Sequence, residues 1–208
     1  MNAQIQATLD RLHAEAARNL PAMFLALSKA VFRPLQPEDM KNAYIAVSRQ
    51  QGELMYRTIL DSGYRHIVEY GTSFGISTIY LAAAARETGG RVVTTELLPE
   101  KAEKAHQNFV EAGVDDLIDI KVGDVMQTLR GYDEPIDLLF LDGWKEQYLP
   151  LAQMLEPNFT QNALLVADNL GMEGVKQYLQ YVRNSPKYRS QTIGTDKGGT
   201  EFTHFINN

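Results

Sequence analysis

Asp142, Lys145, Asp168 and Asn169 are the residues of this chain whose types and spacing could do chemistry. Asp142 closes the apolar run Leu138-Leu139-Phe140-Leu141, and Asp168-Asn169 closes Leu164-Leu165-Val166-Ala167. In open α/β sheets ligands collect at the carboxyl ends of the strands, so if these two runs are close, two carboxylates and one amide oxygen meet at one rim. Three hard oxygens suit magnesium or a similar divalent ion, which keeps water or substrate oxygens in its other positions. Lys145 follows Asp142 in the same short loop and could take a proton from a hydroxyl held there. Trp144 beside it could cover a flat ligand. The plainer alternative is a pair of strand-end acids capping turns, with Asn169 in a left-handed loop position and Lys145 exposed.

A second group lies upstream, in Val68-Glu69-Tyr70-Gly71-Thr72-Ser73-Phe74-Gly75-Ile76-Ser77, with Glu96 one strand-helix-strand unit further on. An acid ending a buried strand, a glycine turn opening a helix and a second acid closing the next strand make a nucleoside site. The spacing E-x-G-x-x-x-G differs from the G-x-G-x-x-G that cradles a pyrophosphate, so a ligand without phosphates is favoured. S-adenosylmethionine fits, with its ribose diol held by Glu96 and its cationic methionine end over the turn near acids. Gly123-Asp124, after the run Ile118 to Val122, adds a rim acid placed for an adenine amino group or for capping the next helix.

The positioning elements follow from the pattern of apolar residues. From His66 onward, short apolar runs at Ile67 to Tyr70, Arg91 to Thr95, Ile118 to Val122, Ile136 to Leu141 and Ala163 to Ala167 alternate with helical stretches. Those helices are expected at about 76–88, 99–112, 125–130, 148–156 and 173–184, with Pro99-Glu100 starting the second and Gly113 stopping it. Repeated β-α units imply a parallel sheet with helices on both faces. Tyr188 to Thr195 and Glu201 to Ile206 flank Asp196-Lys197-Gly198-Gly199, which reads as a hairpin and makes one strand antiparallel. The expectation is a single α/β domain of the Rossmann-like kind used by nucleoside-dependent methyltransferases, with seven strands. Ahead of it, Ile5, Leu9, Leu12, Ala16 and Leu20 stand at helical spacing, and Pro21 starts or kinks a second segment. Ser48 with Gln51 reads as a capping box for a helix ending near Gly63.

Composition narrows the partners. The chain has 208 residues, 44% apolar and 22% charged, which suits one soluble domain with a well-buried core. A net charge of −6 carries no basic excess for a large electrostatic grip on nucleic acid, leaving at most a local patch, and favours a small-molecule partner. With no cysteine there is no disulfide, thiolate metal site or cysteine nucleophile, and the four histidines show no H-x-x-H pairing. Asp10, Arg11, Glu15 and Arg18 interrupt the first thirty residues, so no membrane span or signal peptide is expected, and the reading is cytoplasmic.

Leu141-Asp142-Gly143-Trp144-Lys145-Glu146-Gln147-Tyr148-Leu149-Pro150 and the Ala167-Asp168-Asn169 strand end closely resemble segments of the cation-dependent O-methyltransferases, the family of catechol and caffeoyl-coenzyme A O-methyltransferases. The likeness covers roughly residues 40–208. It implies that Asp142, Asp168 and Asn169 bind magnesium and that Lys145 is the general base. It also implies that Glu96 holds the ribose of S-adenosylmethionine and Asp124 lies at the adenine. Val47, Glu69, Gly71, Ser73 and Ser77 would line the methionine part, with Asp142 and Trp144 bordering the pocket. The pattern departs at Gly143, which stands where the mammalian catechol enzyme has histidine, and at Ala46, which replaces an asparagine. In relatives the region matching residues 1–40 helps form a substrate lid or a homodimer contact. The expected reaction is methylation of one hydroxyl of a vicinal diol, a catechol or related phenolic. The competing expectations are methylation of a hydroxylated uridine in tRNA, against which the acidic balance argues, and a cofactor-binding module without turnover, against which the intact Lys145 argues.

Overall fold

Alternation along three central strands divides the apolar residues between two cores. The computed structural model describes residues 1–33, 35–44, 46–194 and 198–206, and for Leu20, Ala22, Met23, Leu27 and Ala30 the backbone alone. In β1 (His66–Tyr70), β4 (Ile136–Leu141) and β5 (Phe159–Asp168), Ile67, Leu138, Phe140, Leu164 and Val166 face one side of the sheet. Val68, Leu139, Leu141, Leu165 and Ala167 face the other. Burial on both faces explains why these strands read as unbroken apolar runs.

With β2 (Arg91–Glu96), β3 (Ile118–Val122), β6 (Tyr188–Ile193) and β7 (Thr200–Phe205), the sheet has seven strands in the order β3-β2-β1-β4-β5-β7-β6. Strands β1 to β5 pair in parallel, and β7 runs antiparallel between β5 and β6. This is the Rossmann-like methyltransferase arrangement that the sequence leads one to expect. The order reverses direction beside β1, and the crevice at such a switch point is where α/β sheets bind ligands.

On the first face lie α1 (Ala3–Arg18), α3 (Arg49–Ser62), α4 (Ile76–Thr88) and α5 (Pro99–Ala112). Helix α4 is sandwiched, with ten consecutive residues from Ile76 to Ala85 buried. It packs so tightly on α3 that a Cβ on Gly52 would sit 2.4 Å from the Tyr80 ring. The second face carries the one-turn α6 (Val125–Thr128), α7 (Tyr148–Leu155) and α8 (Lys176–Asn184). Helix α2 (Leu20–Ser28) starts immediately after Asn19, so Pro21 falls in its first turn, where a missing N–H costs nothing.

Several boundaries move from the sequence reading. Strand β5 begins at Phe159, ahead of the expected Ala163, with Asn162 in the left-handed region (φ 66) and a register shift against β4. The expected helix 125–130 stops at Thr128, and that expected at 173–184 opens as a 3-10 turn over Glu173–Val175. The hairpin strands are in place, while Thr195, Asp196 and Lys197 of the turn lie outside the described residues. At α3 half of the capping box forms: Ser48 Oγ accepts from the Gln51 amide at 3.2 Å. The Gln51 side chain is buried and donates to Thr200 Oγ1 instead of returning to Ser48. Among the described residues no helix is long and apolar enough to cross a membrane.

Candidate active site

Strands β4 and β5 are neighbours, with Leu141 opposite Ala167, so Asp142 and Asp168 leave the sheet side by side. The sequence can establish that each acid ends a strand, and the register shows that the strands are adjacent. Lys145 is buried, and its Nζ donates to Asp142 Oδ1 at 3.3 Å and to Tyr148 Oη at 2.6 Å. Tyr148 Oη lies 3.4 Å from the Asp168 carbonyl. A hydrogen-bonded chain thus runs from Asp142 through Lys145 and Tyr148 to Asp168. Tyr148 is wholly buried, and burial, with Asp142 and Asp168 close by, pushes its phenol well above the ordinary value. It therefore stays neutral and accepts from an ammonium.

Asp168 is equally constrained. Its Oδ1 accepts from Thr200 Oγ1 at 3.0 Å, with Gln51 Nε2 behind that hydroxyl at 3.3 Å, and its Oδ2 accepts from Asn169 Nδ2 at 3.1 Å. Asn169 has φ 60, the left-handed loop position considered as the plainer alternative. Using its nitrogen on Asp168 leaves the Asn169 amide oxygen as the end available to a cation. Among the described residues no three His, Cys, Asp or Glu side chains converge as a metal cluster. The donor set at this rim is instead two carboxylates and one carboxamide. Hard oxygens of that kind fit a magnesium-like ion.

The glycine turn is pressed against the same loop. Gly71 has φ 106, and a Cβ there would lie 2.8 Å from the Gly143 nitrogen and 2.9 Å from the Asp142 carbonyl carbon. Gly143 in turn has no room for a side chain, because Tyr70's ring would be 2.4 Å from its Cβ. Tyr70 Oη accepts from the Trp144 amide at 3.1 Å, which fixes the half-buried Trp144 at the edge of the site.

The amides of Gly71, Thr72, Ser73 and Gly75 in the turn are spent internally. Gly71 and Thr72 donate to the Thr95 carbonyl at 3.2 and 3.0 Å, Ser73 to Glu96 Oε2 at 2.8 Å, and Gly75 to the Thr72 carbonyl at 2.8 Å. Phosphate sites need such N–H groups turned outward, so this turn suits a ligand without a pyrophosphate. Glu96 also accepts from Leu98's amide at 3.0 Å. Val47 and Ser77 are buried. Asp124 caps α6 through the Met126 amide at 2.8 Å, leaving its second oxygen for a ligand.

Glu69 is fully buried below the turn. Its Oε2 accepts from Thr78 Oγ1 at 2.5 Å and Thr94 Oγ1 at 2.6 Å, and Thr72 lies 2.6 Å behind Thr94. Its Oε1 has no hydrogen-bond partner among the described residues. Burial pushes the carboxyl up to about 7, against the opposing effect of the Ser77, Thr78 and Thr94 hydroxyls. An orphaned carboxylate oxygen next to the glycine turn fits the ammonium end of an amino-acid-bearing ligand. A cavity of about 530 Å³ lies at the other end of the sheet, lined by Tyr64, Asp137, Thr160 and Arg189 among others, but Asp137 there already accepts from the Arg65 and His66 amides and Thr160.

The comparisons with known proteins agree with this geometry. A family model described as a methyltransferase domain matches residues 68–170. A probable O-methyltransferase of Mycobacterium tuberculosis is 30% identical over 164 residues, covering 74% of this chain and 70% of that protein. The chain belongs to the O-methyltransferase family. Within it, the catechol O-methyltransferase of Mycobacterium tuberculosis is 40% identical over 129 residues, 61% of this chain, and the match spans only 57% of that relative's length. Among solved structures, an O-methyltransferase of Streptomyces achromogenes involved in tomaymycin synthesis, in complex with SAM, is 27% identical with a TM-score of 0.74, covering 88% of this chain and 90% of that one.

Tyr148, Gln51, Thr200 and Thr94 are site residues that the sequence reading passed over. For Tyr148 a signal existed, since it lies three residues after Lys145, one helical turn away. Gln51 and Thr200 are 149 residues apart, and no local pattern joins them.

Proposed function

We propose that this protein is an S-adenosylmethionine-dependent O-methyltransferase that methylates one hydroxyl of a vicinal diol, a catechol or related phenolic. The observation that carries the reading is the buried chain from Asp142 through Lys145 and Tyr148 to Asp168, packed directly against a nucleoside-type glycine turn. Names of relatives in the family support the reaction class, and a solved relative holding SAM supports the donor.

In this reading Glu96 receives the ribose, Asp124 the adenine, and Val47, Glu69, Gly71, Ser73 and Ser77 the methionine end. Asp142, Asp168 and Asn169 would hold a divalent ion such as magnesium, which when bound supplies charge that makes an adjacent phenol easier to ionise. Lys145 takes the proton from the attacking hydroxyl, and Tyr148 Oη, kept neutral by burial, holds its Nζ aimed at the rim. Trp144 and the Gly71 to Gly143 contact hold donor and acceptor together, so that most of the acceleration comes from positioning. Residues 1–40 are taken as a helical approach to a catalytic core at 41–208.

The test is methyl transfer from labelled S-adenosylmethionine to a catechol panel and to bulk tRNA, each with magnesium and with a chelator. Catechol labelling lost on chelation is the expected result. Label in tRNA alone would replace the substrate assignment, and catechol turnover unaffected by chelation would remove the metal. Asp168→Ala should abolish turnover while S-adenosylhomocysteine still binds; full activity in that variant would eliminate the proposed ligand set.

A further inference from the structure

Lys101 is a buried cation that the proposed reaction does not use. It stands in the first turn of α5 and is 4% exposed. Its Nζ reaches the Ala43 carbonyl at 3.3 Å and Ser73 Oγ at 3.5 Å, both long for charged hydrogen bonds, and lies 5.2 Å from the Phe74 ring centre. An ammonium has three donors, and among the described residues this buried one has two long hydrogen bonds, to Ala43 and Ser73. Burial lowers its pKa, and Glu96 is the opposing charge that holds it up.

The surroundings are rigid. Phe74 stacks on Tyr44 with ring centres 4.0 Å apart, Tyr44 Oη donates to Glu15, and Asn108 Nδ2 donates to the Phe74 carbonyl at 2.9 Å. Ser73, a residue with a side chain, is held in the left-handed region at φ 50 while its amide bonds Glu96. Strained backbone of this kind persists where surrounding structure enforces it, and such sites cluster at ligands. Ser73 therefore links an anion and a cation that flank one point of the glycine turn: Glu96 through its amide and Lys101 through its hydroxyl.

We propose that Lys101 is a cofactor-binding residue, donating a hydrogen bond to the ribose hydroxyl whose proton Glu96 accepts. This rests on the nucleoside-site reading of Glu96 and the glycine turn. A ribose hydroxyl both donates and accepts; a carboxylate satisfies only its donor half, and the ammonium supplies the other. The pairing makes the site read the sugar, independently of metal and methyl acceptor.

Calorimetric titration of the full chain with S-adenosylhomocysteine, 5′-methylthioadenosine and 2′,3′-dideoxy-5′-methylthioadenosine tests it, using the wild type, Lys101→Met and Lys101→Gln. Lys101→Met should weaken the first two ligands alike, by about tenfold, as expected for loss of a hydrogen bond from a charged donor. The wild type should lose affinity when the ribose hydroxyls are removed, and that loss should shrink about tenfold in Lys101→Met. Lys101→Gln, which keeps a neutral donor, should fall between and serves in place of Lys101→Met if that variant fails to fold. Equal losses for the dideoxy ligand in all proteins would overturn the proposal, because a lysine that merely pins Ala43 gives that result. So would a defect confined to S-adenosylhomocysteine, which would move the contact to the amino-acid end. Because no acceptor or metal is present, failed catechol methylation leaves this test intact; failure of wild type to bind S-adenosylhomocysteine would overturn the nucleoside site itself.

Discussion

Replacing Glu69 with glutamine should flatten the dependence of stability on pH between about pH 5 and 8. In the folded chain this carboxyl is pushed up to about 7 from an ordinary 4.5 by complete burial. Between those values the folded state holds a proton that the unfolded state has released, so unfolding gives up protons and stability falls as pH rises. The stability this group contributes is fully present below about pH 4.5 and is lost as pH climbs through 7. A difference of about 2.5 units at 1.36 kcal/mol each gives an upper limit of about 3 kcal/mol. For a chain of this size that is roughly 6 to 12 °C in Tm. Glu69→Gln removes the proton exchange and places an amide nitrogen at the unpartnered Oε1 position, a cost that does not vary with pH. Thermal unfolding followed at half-unit steps from pH 5 to 8 should therefore show the wild type losing stability relative to the variant. Saturating S-adenosylhomocysteine should shrink the difference, because an ammonium beside Oε1 favours the ionised carboxyl, and its affinity should rise with pH through 7. Parallel curves for the two ligand-free proteins would refute the argument, since they would mean that Glu69 is not in a site dry enough to hold its proton.

Lys145→Met should lower the rate of methyl transfer by about 10² to 10⁴ while S-adenosylhomocysteine binding persists, and the limb of the pH–rate profile that reports the base should disappear. An unchanged profile would show that the proton leaves by another route. Gly71→Ala forces a side chain at φ 106 against the Gly143 nitrogen at 2.8 Å; it should cost about 1 to 3 kcal/mol, read as a lower Tm, and slow turnover as the Asp142 loop is displaced. Wild-type Tm and rate in that variant would mean that the two loops are not in contact.

What the sequence reveals and what it conceals divide along the range of each interaction. Strand positions were legible because Leu138 to Leu141 and Leu164 to Val166 are apolar on both faces, and helix ends because Pro99 and Gly113 act within one turn; Gly113 takes φ 65 as the C-cap of α5. That Asp142 and Asp168-Asn169 stand at strand ends was legible for the same reason. The supports were not. Lys101 looks like any helical lysine until α5 lays it against Ser73 and Ala43. Gln51 looks like the second half of a capping box, and only the β7 strand, arriving from far along the chain, turns it to Thr200. The stop of α6 at Thr128 was hidden because a one-turn helix has no periodicity to measure.

The insertion of β7 between β5 and β6 sets a timetable for the nascent chain. Asp168 leaves the ribosome with its acid ready but gains its hydroxyl partner only when Thr200, 32 residues later, is threaded into a slot already bordered by β5. Until then Asp168 lacks the hydroxyl on its Oδ1, and a translation product halted before that threonine would carry both aspartates and the lysine yet leave the rim unfinished. The hydroxyl side of this rim is therefore completed only by the last strand of the sheet to leave the ribosome.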